Sequence, residues 1–293
     1  MTDTRGSQMW GVGSVALAVS LIGTIGTAHE LGPESLSALA TGSWRGVIGA
    51  AGLVTLAAVR GQAPWRYRLP ARWVVFGALG MAVSQFGFFE ATSRTGVAVG
   101  TLVVIGVGPA AAGVIDWLAY RARPSRRWML GAVLALGGVA LLTGGGDEVV
   151  WSGVAFGVAA GCGIPCQGFA AQQLMVDRPL LPSMAAVVAA GAVLLVPTAA
   201  ATAGSAFDSA ASASTVMYLG LVTITLAHSL WAAGLKRLSL SMAVVVGLLE
   251  PAVASALATG VLGEPVTAAL VAGICLVIAG IAVTSLPAAG RHR

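Results

Sequence analysis

Apolar residues run in blocks along this chain, each closed by a short gap, and a bilayer core of roughly 30 Å takes about 20 helical residues to cross. Ten such blocks fit the chain, at 9-27, 37-59, 73-93, 97-120, 128-144, 151-172, 182-201, 214-234, 241-262 and 267-286. Each is predicted as a membrane helix. The blocks lack the two-residue alternation of lipid-facing strands, which excludes a β-barrel.

Composition agrees with that pattern. Hydrophobic residues make up 57% of the 293 positions, charged residues only 9%, and the mean hydropathy is +0.89. So few polar groups cannot cover a water-soluble surface. The expected fold class is therefore an all-α integral membrane protein with ten transmembrane helices.

The cations lie in alternate gaps. With the N-terminus inside, the inner gaps hold Arg5, Arg60, Arg66, Arg68, Arg72, Arg121, Arg123, Arg126, Arg127, Arg178, Lys236, Arg237, Arg291 and Arg293, fourteen of the sixteen in the chain. The outer gaps hold Glu30, Glu34, Asp147, Glu148, Asp208 and Glu264, with Arg94 their only basic residue. Because lysine and arginine bias sets orientation, both termini are expected on the cytoplasmic side of the inner (plasma) membrane. The net charge of +5 is then an inner-leaflet signature and not a nucleic-acid footprint.

A shift of 142 positions lays Pro109 on Pro251, Gly131 on Gly273, Gly138 on Gly280, Gly11 on Gly153 and Gly26 on Gly168. Nine positions of 98-141 are identical at that shift. The aligned prolines and glycines weigh more than the count, since an Ala-, Val- and Gly-rich chain matches itself often by chance. Two five-helix repeats follow, 1-145 and 146-293, forming one membrane domain. Five is odd, so equivalent helices cross in opposite directions, the inverted-topology arrangement typical of transporters. The repeat also argues that the first block is a retained helix, although Arg5, the apolar run and the small residues before Ala28 resemble a secretory signal.

Pro109, Pro165 and Pro251 fall near the middle of predicted spans, where the missing N–H frees the carbonyls of Ile105, Gly161 and Gly247 and kinks the helix. Interrupted helices at equivalent positions point to a midplane binding site, and Pro109 with Pro251 fit that description. A plain packing kink is the competing explanation.

Two stretches carry a family resemblance: RTGVAVGTLVVIGVGPAAAGVIDWL from Arg94, and LLEPAVASALATGVLGEPVTAALVAGICLVIAGIAV in the second half. They resemble the repeat-ending signatures of the EamA-type drug/metabolite transporter superfamily, and the similarity extends over nearly the whole chain, including Arg45 early in the second helix. The resemblance implies a ten-helix exporter of amino acids, other small metabolites or drugs, with a cavity between the halves. One departure is the Gly-Glu-Pro at Gly263 to Pro265, whose counterpart after the fourth helix is the arginine run Arg121 to Arg127.

Few polar side chains remain inside the spans. Glu250 lies about ten residues, roughly 15 Å, into its helix, hence near the midplane, where an ionisable group by default faces a cavity or a partner. His228 shares a helix face with Thr225 and Trp231, and suits either substrate contact, proton relay or a bond to a backbone carbonyl. Gln85 and Gln167 can donate and accept without a charge cost, as substrate readers or as interhelical glue. Arg45 either attracts an anionic substrate or pairs with an outer acid. Glu90, four residues before Arg94, forms an ordinary helical ion pair, and Asp116 is interfacial.

The candidate substrate-binding residues are thus Arg45, Gln85, Pro109, Gln167, His228, Trp231, Glu250 and Pro251. Glu250 and His228 are the candidates for proton coupling. Cys162, Cys166 and Cys275 fall inside helices as packing residues, and no metal or cofactor is expected. The chain has no Gly-x-Ser-x-Gly turn, His-Glu-x-x-His pair or phosphate loop, which disfavours an intramembrane enzyme and an ATP-driven pump. A sensory membrane protein would need a soluble domain that the short gaps do not provide. Proton antiport and passive facilitation both remain open, as do a monomer and a homodimer.

Overall fold

The computed structural model describes residues 4–143 and 150–285, which are helical throughout with no strand. Asp147, Glu148, Arg291 and Arg293 lie outside the described residues. The helices are α1 (Thr4–Ile22), α2 (Ala38–Val59), α3 (Ala71–Gly96), α4 (Val99–Tyr120), α5 (Arg126–Thr143), α6 (Trp151–Met175), α7 (Leu180–Val193), α8 (Ala210–Leu235), α9 (Leu240–Leu262) and α10 (Ala268–Ser285). Short helices extend α1 (Ile25–Glu30) and α7 (Val196–Ala201). Seven of the spans are long and apolar enough to cross a bilayer, while the apolar parts of α7 and α10 are shorter.

Local chemistry sets the ends of these elements. Ser37, Ser209 and Ser239 cap α2, α8 and α9, each side-chain oxygen accepting a backbone N–H three residues on. The α3–α4 corner turns at Gly96, whose φ of +78° is a conformation that side chains with a Cβ rarely adopt.

Charge separates along the bundle. Arg178 Nη2 donates to the carbonyl of Arg68 at 3.5 Å, the start of α1 packs on Arg237 and Leu238, and the end of α4 meets the start of α9. These contacts gather the basic gaps at one end. At the other, Arg94 reaches Ser152 at 3.5 Å and Tyr218 donates to Thr24 at 3.0 Å. Glu90 pairs with Arg94 at 2.7 Å, the i,i+4 geometry expected from their spacing.

Lipid is as apolar as a side-chain core, so helices here associate by close fit rather than by hiding apolar surface. The α5–α10 seam shows it. A Cβ on Gly138 would stand 2.5 Å from the carbonyl oxygen of Gly273, and one on Gly131 would stand 2.6 Å from that of Gly280. At the 142-residue shift Gly131 corresponds to Gly273 and Gly138 to Gly280, so the two contacts exchange under the repeat and the helices run antiparallel. The larger core cluster joins α1, α2, α3, α4, α6, α7, α8 and α9, and a smaller one joins α5, α9 and α10.

Two sequence expectations change here. Helix continues through Pro109 and Pro165, whereas α9 breaks at Leu248, just before Pro251. Neighbouring helices and local adjustments satisfy groups that a membrane proline frees, so a proline need not open its helix. Asp116 is 3% exposed and holds the start of α9, which makes it a buried tie instead of an interfacial charge.

Candidate functional site

A cavity of about 150 Å³ opens between α1, α4, α6, α7, α8 and α9. Its wall is largely apolar, with Val19, Ile22, Val104, Ile105, Ile164, Met184, Val244 and Leu248, and four polar side chains enter it: Gln167, His228, Trp231 and Glu250. Three repeat-equivalent pairs contribute to its lining: Ile22 with Ile164, Ile105 with Gly247, and Gly108 with Glu250. The cavity therefore straddles the relation between the two halves, and the carboxylate enters from one half only.

The break in α9 places Glu250. Pro251 has no N–H for the Gly247 carbonyl, the first half of the helix ends at Gly247, and a new helix starts at Leu249 with Glu250 in its first turn. A carboxylate there is favoured by the partial positive charge of the helix N-terminus. Gly23, at the bend after α1, lets that helix approach: a Cβ would meet the Glu250 carbonyl oxygen at 2.9 Å.

His228 is placed by a feature with no sequence signal. Residues Leu221–Leu226 form a π-helical turn, an insertion frequent at functional sites. Thr225 turns its hydroxyl to the Gly49 carbonyl at 3.1 Å and does not line the cavity, so the expected Thr225–His228–Trp231 face is reduced to His228 and Trp231. The buried His228 Nδ1 makes no hydrogen bond of good geometry, with the carbonyls of Ile224 and Thr223 lying toward it.

Gln167 Nε2 is buried and unpartnered. A buried donor without a partner is costly, and a ligand oxygen in the cavity would relieve that cost. Among the described residues Arg45, half-buried on α2, forms no ion pair with an outer acid; its charge acts on Glu250 and His228. No salt bridge within 4.0 Å joins it to Glu250.

Pro109 and Pro251 lie one residue beyond the lining pair Gly108 and Glu250, and shape the wall without forming it. Gln85 does not line the cavity. Its helix, α3, packs behind α6 and α7, where a Cβ on Gly77 would meet Val187 at 2.7 Å and Ala170 at 2.8 Å.

Two further side chains, Trp128 and Gln172, carry no reading in the sequence, and Asp116 takes a role beyond the interfacial one expected of it. Asp116 Oδ2 accepts the Ser241 N–H at 2.8 Å, Trp128 Nε1 donates to the Ser241 carbonyl at 3.1 Å, and Gln172 Nε2 donates to the carbonyls of Leu235 and Leu238 at 2.9 and 3.0 Å. Their only sequence signal was being polar in or beside an apolar span. Among the described residues no group of three or more His, Cys, Asp or Glu side chains could hold a metal ion, and the cysteines are free.

The family model described as the EamA-like transporter family matches this chain twice, at residues 9–144 and 151–286. The chain belongs to that family. It is also 32% identical over 276 residues to the "Uncharacterized transporter YwfM" of Bacillus subtilis (strain 168), covering 92% of each chain. One solved crystal structure superposes with a TM-score of 0.77 at 20% identity, over 95% of this chain and 96% of the other, which shows a shared fold. The protein is a multi-pass membrane transporter, not an enzyme, and its family sets the bilayer and a small-molecule substrate as its partners.

Proposed function

We propose that this member of the EamA-like family is a secondary transporter exporting a small metabolite, an amino acid or related compound, by alternating access. Its ten helices form two inverted repeats, 1-145 and 146-293, with both termini cytoplasmic in the cell's inner (plasma) membrane. The observation that carries this reading is the cavity lined by repeat-equivalent pairs, since two related halves rocking about a shared site expose it to each side in turn.

Size and chemistry narrow the substrate. The cavity measures about 150 Å³, below the roughly 300–1,000 Å³ of drug-sized sites, which favours a small metabolite over a drug. An apolar wall with a carboxylate at one point and the Gln167 amide at another suits a small zwitterion with an aliphatic side chain: Glu250 takes the ammonium and Gln167 Nε2 a carboxylate oxygen. Purified protein in liposomes, screened for counterflow of labelled amino acids, tests this. Exchange of an aliphatic amino acid is expected; exchange of only larger aromatic drugs would overturn the assignment.

Glu250 is the proposed proton-exchanging group and His228 a relay. The carboxylate gains and loses contact with water as the cavity opens and closes, so its proton affinity differs between states and a proton gradient biases their exchange.

A further inference from the structure

Along α6, α7 and the α8–α9 corner, buried apolar side chains lie between the cavity-lining positions and the basic gaps: Leu174, Met175, Leu181, Leu235, Leu238 and Leu240, each at most 7% exposed. Three of them, Leu235, Leu238 and Leu240, belong to the corner between α8 and α9. Gln172 fastens that corner within its own half through the carbonyls of Leu235 and Leu238. The corner therefore moves with the second half. Opening this end requires separating it from the first half.

Two of the bonds that oppose that separation end on Ser241. Asp116 of α4 accepts its N–H at 2.8 Å and Trp128 of α5 donates to its carbonyl at 3.1 Å. Both α4 and α5 lie in the first family-matched segment and Ser241 in the second. Other cross-half contacts at this end are the Gln173 Nε2 bond to the Tyr120 hydroxyl at 2.7 Å and the Arg178 bond to the Arg68 carbonyl at 3.5 Å, both exposed and neither on the α8–α9 corner, and, on that corner, Arg237 over the exposed Trp10 ring and the Gln8 amide against the weakly accepting Met242 sulfur.

Asp116 stands out because its bond is only half satisfied. Oδ1 is buried without a partner while Oδ2 holds Ser241, so the closed arrangement combines a strong charge-assisted bond with an uncompensated loss of hydration. Opening breaks the bond and gives both oxygens to water. The two effects offset, which leaves a contact able to close and release within a cycle rather than a permanent staple.

We propose that Asp116 is the latch of the cytoplasmic gate: its carboxylate grips the first turn of α9 while the cavity is shut toward the cytoplasm and releases it when that side opens. The proposal rests on the alternating-access reading and on the basic end being cytoplasmic.

The test places a single cysteine at Met184, on the cavity wall, in protein with Cys162, Cys166 and Cys275 replaced by alanine. A membrane-impermeant, positively charged methanethiosulfonate reagent is applied to inside-out and right-side-out vesicles. In D116A, labelling from the cytoplasmic face should rise about tenfold, equivalent to about 1.4 kcal/mol, and labelling from the outer face should fall. D116N keeps an acceptor oxygen for Ser241 and should stay near the parent. W128F removes the second tie and should raise cytoplasmic labelling less than D116A does. Should D116A not fold, W128F decides. Folded variants that label at the parental rate from both faces overturn the latch alone; a parent that labels from neither face, with or without substrate, overturns the latch together with the alternating-access reading.

Discussion

Glu250 and Gln167 reach the same cavity by different routes, one by a helix break and the other by projecting from a continuous helix beside Pro165. Their substitutions should therefore separate coupling from affinity. In proteoliposomes Glu250→Gln, whose amide oxygen still accepts from the substrate ammonium, should weaken but retain substrate exchange and abolish uptake driven by a pH gradient; gradient-driven uptake at full rate would remove the coupling role and favour passive facilitation. Gln167→Leu deletes a hydrogen bond to a charged carboxylate, worth about 1.5–3 kcal/mol, and should weaken substrate binding roughly ten- to 150-fold in an equilibrium binding assay. Gln85→Ala, behind α6, should leave affinity unchanged. Outside the spans, hydroxyls of Ser212 first and Ser35 next hold the Asp208 carboxylate below its ordinary range. A depressed carboxylate stabilises the fold above its unfolded pKa of about 3.9, and that contribution disappears as pH falls through the lower folded value. Ser212→Ala should thus lower Tm slightly at neutral pH, with the difference from the parent shrinking below about pH 4. A constant difference down to strongly acid pH would assign the loss to packing.

At the scale of elements, adjacent glycines on α5 make a matched pair. A Cβ on Gly138 would collide with the Gly273 backbone, while one on Gly137 meets nothing within 4 Å. Gly138→Ala should destabilise the protein by about 1–3 kcal/mol, because backbone cannot yield as a flexible side chain does. Gly137→Ala should be neutral or stabilising by up to about 1 kcal/mol through helix propensity. Thermal unfolding in detergent compares them, and equal Tm values would show that the seam tolerates separation. Repeat symmetry is expressed at this scale as contacts that exchange, Gly131 with Gly280 and Gly138 with Gly273.

For the whole molecule, the separation of charge to two ends becomes an orientation through the cation bias. A cysteine at position 208 in intact cells should react with an impermeant maleimide, and one at position 123 should react only after permeabilisation. The reverse pattern would invert the topology and move the proposed gate to the outer face.

Much of the architecture was legible in the chain, because membrane insertion reads one residue at a time by its transfer energy. Apolar blocks located the helices, arginines marked one end, and a shift of 142 residues exposed the repeat. Counting residues along α9 puts Glu250 midway along its span, and Glu250 lines the cavity. Rotation about each helix axis was not legible. In water an apolar stripe reveals the inward face, but in lipid both faces are apolar and no stripe is required. Hence Gln85 looked equivalent to Gln167 until α3 was seen packed behind α6, and Asp116 looked interfacial until its oxygen was found on Ser241. The π-turn before His228, and the meeting of Gly108 and Glu250 in one cavity lining, depend on backbone geometry and interhelical distance. Those are settled only when all the helices pack at once.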